Sequence, residues 1–133
     1  MRTLVMLSLM AVAVGSNGCA VRSDNIYAQD VETVLESRGD QVSQCWGGVM
    51  KTNPEASGQV AIRLRVEEDS GQIVNPEIVA DQTTAPPELQ QCVLQSLGGL
   101  ALQPGDNRPG VGVYVWNFTP GVAPAAAPAA PAS

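Results

Sequence analysis

Gly58-Gln59-Val60-Ala61-Ile62-Arg63-Leu64-Arg65-Val66-Glu67 is the stretch that decides the fold class. In an extended chain Val60, Ile62, Leu64 and Val66 point one way, and Ala61, Arg63, Arg65 and Glu67 the other. Alternation with one charged face is the signature of a half-buried strand. Asp69-Ser70-Gly71 follows as turn chemistry, with a glycine free to take positive φ. A second strand is predicted over residues 73–80. Pro76 inside it lacks an N–H for a ladder, which assigns that strand to a sheet edge.

Upstream, apolar residues recur at Tyr27, Val31, Val34, Leu35, Val42, Cys45, Trp46, Val49 and Met50, at the spacings of a single helical stripe. Asp24 is the expected N-cap. Gly39-Asp40 interrupts the propensity and could open a second helix, but the stripe keeps its phase, so one long helix with a weak point is expected. Arg38 falls at the edge of the stripe, its stem packed and its head in water. Asn53-Pro54 ends the helix, because a residue before proline avoids the α region. Downstream, Thr83 and Thr84 are expected to cap another helix, with Pro86 and Pro87 near its first turn. Leu89, Cys92, Val93 and Leu97 form its buried face, and Gly98-Gly99 stops it. A last strand follows over residues 111–118. It carries Val111, Val113 and Val115 on one face and Tyr114, Trp116 and Phe118 on the other.

The resulting order is α-β-β-α-β, an α+β two-layer domain. Its sheet is expected to have three strands in the order second, first, third, as a split β-α-β unit with both helices on the face of Val60, Ile62, Leu64 and Val66. The last strand would then be the second edge. Beyond Thr119 the chain is Pro/Ala-rich and is expected to be disordered.

The chain of 133 residues is one small domain with non-globular ends. Seven basic residues against thirteen acidic ones, a net charge of −6, oppose a nucleic-acid role, which needs clustered Lys and Arg. Arg2 and the short apolar run from Leu4 to Val14 read as an export signal, too short for a comfortable membrane span. Gly15-Ser16-Asn17-Gly18-Cys19 then resembles a bacterial lipoprotein cleavage site, with Cys19 acylated as the mature N-terminus. Ordinary cleavage nearby, leaving Cys19 a free thiol and the protein periplasmic or secreted, is the alternative. Cysteine arithmetic favours the lipid, since it leaves Cys45 and Cys92 as an even pair. Ala20 after the cysteine, where Asp would signal retention, implies by analogy an outer-membrane location facing the periplasm. The domain plan is 1–18 signal peptide, 19–25 lipidated tether, 26–119 folded domain and 120–133 tail.

For Cys45 and Cys92 the readings are a structural disulfide or a redox or metal site. Their wide spacing, the absence of a C-x-x-C and the absence of histidine from the chain favour the disulfide. Glu67-Glu68-Asp69 could hold a cation or act as paired carboxylates, but at a hairpin tip it reads as solvated charge. Without histidine a Ser-His-Asp triad is impossible. No catalytic, cofactor or metal residue is therefore assigned, and no small-molecule substrate.

With those residues placed, the chain resembles the AgmX/PglI C-terminal domain family, relatives of the TonB C-terminal domain. The features that carry the resemblance are Cys45-Trp46, then Pro54, Gly58 and Val60, then Gly71-Gln72-Ile73, then Cys92-Val93, and a final strand ending at Phe118. It spans residues 27–119 and implies a TonB-like fold and a binding role without catalysis. The candidate partner-binding residues are Val113, Tyr114, Val115 and Trp116 with Arg63 and Arg65. If the valines face inward, the aromatics lie exposed beside the arginines at an unpaired edge, suited to receiving a partner strand. If the aromatics face inward, they are core. The expected function is a lipid-anchored adaptor that holds another envelope protein. The alternative is a structural envelope lipoprotein, a spacer whose Pro/Ala tail makes the contacts.

Overall fold

In a computed structural model of the protein, which describes residues 20–129, the alternating stretch forms β1 (Gly58–Val66) at the centre of an antiparallel sheet. β2 (Ile73–Ile78) pairs on one side and β3 (Gly110–Phe118) on the other, and β4 (Ala125–Pro128) pairs with β3 to complete the order β2-β1-β3-β4. Asp69 and Gly71 take positive φ in the β1–β2 turn. A Cβ added at Gly71 would stand 2.0 Å from the Leu102 carbonyl oxygen, so this turn requires glycine for space as well as for φ. A bulge between Arg63 and Arg65, with Asn75 at φ 51°, kinks the edge strand just before Pro76.

The helices are α1 (Asp24–Glu36), α2 (Gly39–Thr52) and α3 (Pro87–Ser96). They cover one face of the sheet, and the core forms between them from Val31, Leu35, Val42, Leu89, Val93 and Leu97 with Val60, Ile62, Leu64 and Val66. Cys45 and Cys92 are joined in a disulfide with Cα atoms 5.7 Å apart, tying α2 to α3. The α+β class and this bridge agree with expectation.

Several expectations are corrected. The sheet has four strands instead of three, so β3 is an interior strand and not an edge. Residues 125–128 of the tail, expected to be disordered, form β4. Ala and Pro have poor strand propensity, but pairing to an available edge uses backbone groups that carry no side-chain signature. The single long helix is two helices. Ser37 closes α1, its hydroxyl donating to the Val34 carbonyl (2.5 Å), and Arg38 donates from Nη2 to the Gly98 carbonyl at the end of α3 (2.9 Å). That corner lets α2 lie along α3 while α1 packs against β4. Finally, the N-cap is Ser23, whose hydroxyl accepts from the Ile26 N–H, and not Asp24.

Thr83 and Thr84 do not cap α3, which starts on Pro87 with no side-chain cap. Their hydroxyls accept from the N–H groups of Ala61 and Gln59, both at 3.0 Å, and so continue the β2 side of β1 past the end of β2.

Candidate functional site

The register of β1 with β3 determines which side of the last strand is available. Val60 lies opposite Trp116, Ile62 opposite Tyr114 and Gly58 opposite Phe118, and direct partners share a face. The aromatics therefore enter the helix-covered core. Trp116 and Phe118 are each 1% exposed, and the Phe118 ring stacks obliquely on Trp46 at a centroid distance of 5.3 Å. Of the candidate partner residues, Tyr114 and Trp116 are thus core and cannot make first contact with a partner. Val113 and Val115 are half-buried on the opposite, open face, beside the exposed Val111. Arg63 and Arg65 also point to that face, without an aromatic to stack on. Arg63 instead pairs with Glu77 across the strands at 3.2 Å.

The outer edge of β3 is the more distinctive feature. The Ala129 N–H donates to the Val113 carbonyl (2.9 Å), and Ala125 and Ala127 lie opposite Asn117 and Val115. Since N–H directions alternate along a strand, Ala125 and Ala127 donate toward β3 and the Pro128 nitrogen points away from it. Proline therefore costs no hydrogen bond here, and it blunts the new outer edge against further pairing. Among the residues of β4 only Ala126 is buried, at 2% exposure. β3 thus accepts an extended segment almost wholly through its backbone.

Between α1 and the Gly110 end of β3 is a cavity of about 390 Å³, lined by Tyr27, Val31, Leu64, Arg108, Gly112 and Tyr114 among others. The glycines are required by the rings: a Cβ at Gly110 would stand 2.5 Å from the Tyr27 ring and one at Gly112 2.9 Å from that of Tyr114. The Tyr27 hydroxyl donates to the Arg108 carbonyl (3.3 Å), and the Arg108 guanidinium sits 5.7 Å from the centre of the Tyr27 ring. This cation–π contact involves neither Arg63 nor Arg65 and none of the last strand's aromatics. Burial, with the neighbouring Tyr27 and Glu32, pushes the Tyr114 phenol up to about 12. Below pH 10 the phenol is protonated whether the chain is folded or not, and its contribution to stability is fully present. Between 10 and 12 only the unfolded chain ionises, so stability falls as pH rises. Urea midpoints at pH 9 and pH 11 are expected to differ, and Tyr114→Phe to reduce the difference; an undiminished difference in that variant would refute this assignment.

A second hollow, between α2 and α3, has Cys45 and Cys92 in its wall. Among the described residues no group of three His, Cys, Asp or Glu is placed to hold a metal ion. Glu67, Glu68 and Asp69 stand at the hairpin tip, where the Asp69 N–H donates to the Asp106 carbonyl (2.8 Å).

Sequence reading missed a network at the N-terminal end. Cys19 and the signal segment lie outside the described residues, but the residues after them, expected to be a loose tether, are docked. The Ala20 N–H donates to the Gly105 carbonyl (2.9 Å), and its carbonyl accepts from the Asn107 N–H (3.2 Å). Asp106, with no exposed surface, accepts from the Arg22 N–H at 2.9 Å and from the Arg108 N–H at 3.2 Å. The Arg22 guanidinium donates to Asp30 and to the Pro104 carbonyl, both at 2.7 Å, while Arg108 donates to the Arg22 carbonyl (2.7 Å) and to Asp24 (2.9 Å). No local signal marks these residues: an Asp in a Pro/Gly loop reads as a turn, and its partner lies 84 positions away.

Fold and site together define a two-layer α+β domain with one disulfide, whose third strand carries a small-residue strap. No family model, curated protein or solved structure matches the chain. Among the described residues no helix is long and apolar enough to cross a membrane.

Proposed function

We propose that this protein is a non-catalytic, lipid-anchored adaptor of the bacterial cell envelope. Cys19 carries the anchor in the outer membrane, the domain faces the periplasm, and an extended segment of another envelope protein pairs with the outer edge of β3. The observation that supports this reading is β4 itself. An Ala/Pro segment with one buried side chain adds to β3 through backbone hydrogen bonds, so the edge accepts strands with little demand on their sequence. The opposite edge is a poorer acceptor, because β2 is kinked by its bulge and carries Pro76. The resemblance to TonB-like and AgmX/PglI domains points the same way.

On this reading a partner strand takes the place of β4. A fluorescent peptide with the sequence of residues 120–133 is expected to bind a chain truncated after Thr119 and to bind the full chain much more weakly. Calorimetry of the truncated chain, with circular dichroism to establish that it stays folded, checks this. Equal binding to both chains would sink edge pairing, and so would no binding to a folded truncated chain. The latter result would favour the spacer reading, in which the tail acts away from the domain.

A further inference from the structure

We infer that the domain lies directly against the lipid surface that its anchor enters, with its Ala20 end toward the bilayer. The inference rests on the proposed acylation of Cys19 but makes a separate claim. Consecutive Cα atoms are about 3.8 Å apart, so no free chain separates residue 19 from the pinned Ala20. Ala20 is held on both its N–H and its carbonyl, and Arg22 and Asp106 lock the next turn of chain. An anchor at residue 19 therefore holds this end of the domain at headgroup depth. Val21 and Ile26, 77% and 46% exposed, are apolar side chains at the same end, and an interfacial lipid layer would cover such groups.

The orientation of the sheet follows. The turn after β1 is bonded to the Asp106 loop through Asp69, so the Val66 end of β1 is membrane-proximal. The Gly58 end, eight residues away, stands about 26 Å further out. Glu67 and Glu68 at the near end are exposed and repelled by anionic headgroups, so the surface that fits is a zwitterionic one. The linker into β4, and with it the start of the strap, is presented at the far end, accessible to a periplasmic partner.

The full chain, purified from a bacterial host and placed in phosphatidylcholine nanodiscs that contain a headgroup-nitroxide lipid, tests this. Expected is a loss of the amide NMR signals of Val21, Asn25 and Asn107, while those of Ser57 and Thr119 persist. Equal broadening at both ends, or none at either, overturns the inference. Intact mass decides the acylation separately. If Cys19 proves unmodified, the anchor reading fails, and coupling its thiol to a maleimide lipid in the same nanodiscs lets the same comparison of signals decide the orientation.

Discussion

A Cys45→Ala/Cys92→Ala double variant is expected to melt roughly 15 °C or more below the parent chain, which corresponds to about 4 kcal/mol for a closed loop of this length. The bridge joins residues 47 positions apart, and the enclosed loop contains the whole β1–β2 hairpin, so its closure restricts a large part of the unfolded chain. Leu89 and Val93 of α3 are buried, and the bridge lies in the wall of the hollow between the two helices. Comparing the parent chain with and without reductant isolates the crosslink from any packing lost by substitution. A melting temperature that does not move on reduction would show that helix packing, and not the bridge, holds α2 in place.

Trp116→Ala is expected to destabilise the domain by about 3–5 kcal/mol, the range for emptying a large buried aromatic site. Trp116 lies between Val60 on β1 and Ala126 on β4, and the small alanine partner cannot expand to fill the space. Its indole Nε1 has no hydrogen-bond partner among the described residues. Trp116→Phe therefore removes an unsatisfied buried donor along with part of the ring, and the first effect offsets the second. It is expected to retain most of the stability that Trp116→Ala loses. Urea unfolding of the two variants checks this. Trp116→Ala unfolding like the parent chain would falsify the core assignment and return Trp116 to the surface as a partner residue. The same measurement guards binding experiments, because loss of a partner in this variant would follow from loss of the fold.

Much of the architecture was legible from local pattern. The alternation over Val60, Ile62, Leu64 and Val66 identified both the strand and its buried face. Asp69-Ser70-Gly71 identified the turn, and Pro76 identified an edge strand. Absence of histidine and an even cysteine pair pointed to the Cys45–Cys92 bridge. Each of these is a statement about one residue's φ, one missing N–H or one short period, and such properties act over a few neighbours.

The candidate site was less legible, for a definite reason. Both faces of the last strand are apolar, so alternation alone could not choose between Val113 and Trp116 for the interior. The choice came from register: pairing with β1 placed Trp116 opposite Val60 and so on the helix-covered side. β4 could not be foreseen because strand addition to an edge uses N–H and C=O groups that every residue has, and Ala-Ala-Ala-Pro carries no pattern. The helix break at Ser37-Arg38 depends on where α3 ends, since Arg38 is held by Gly98. Asp106 gains its role only when Arg22, 84 positions away in sequence, is brought to it. By itself the sequence determined the elements, the first strand's inward face and the cysteine pair, because short-range geometry dictates them. Which face of β3 is buried, what covers its edge and how firmly the N-terminal end is held were decided by tertiary structure, because each depends on groups that meet only after the chain has folded.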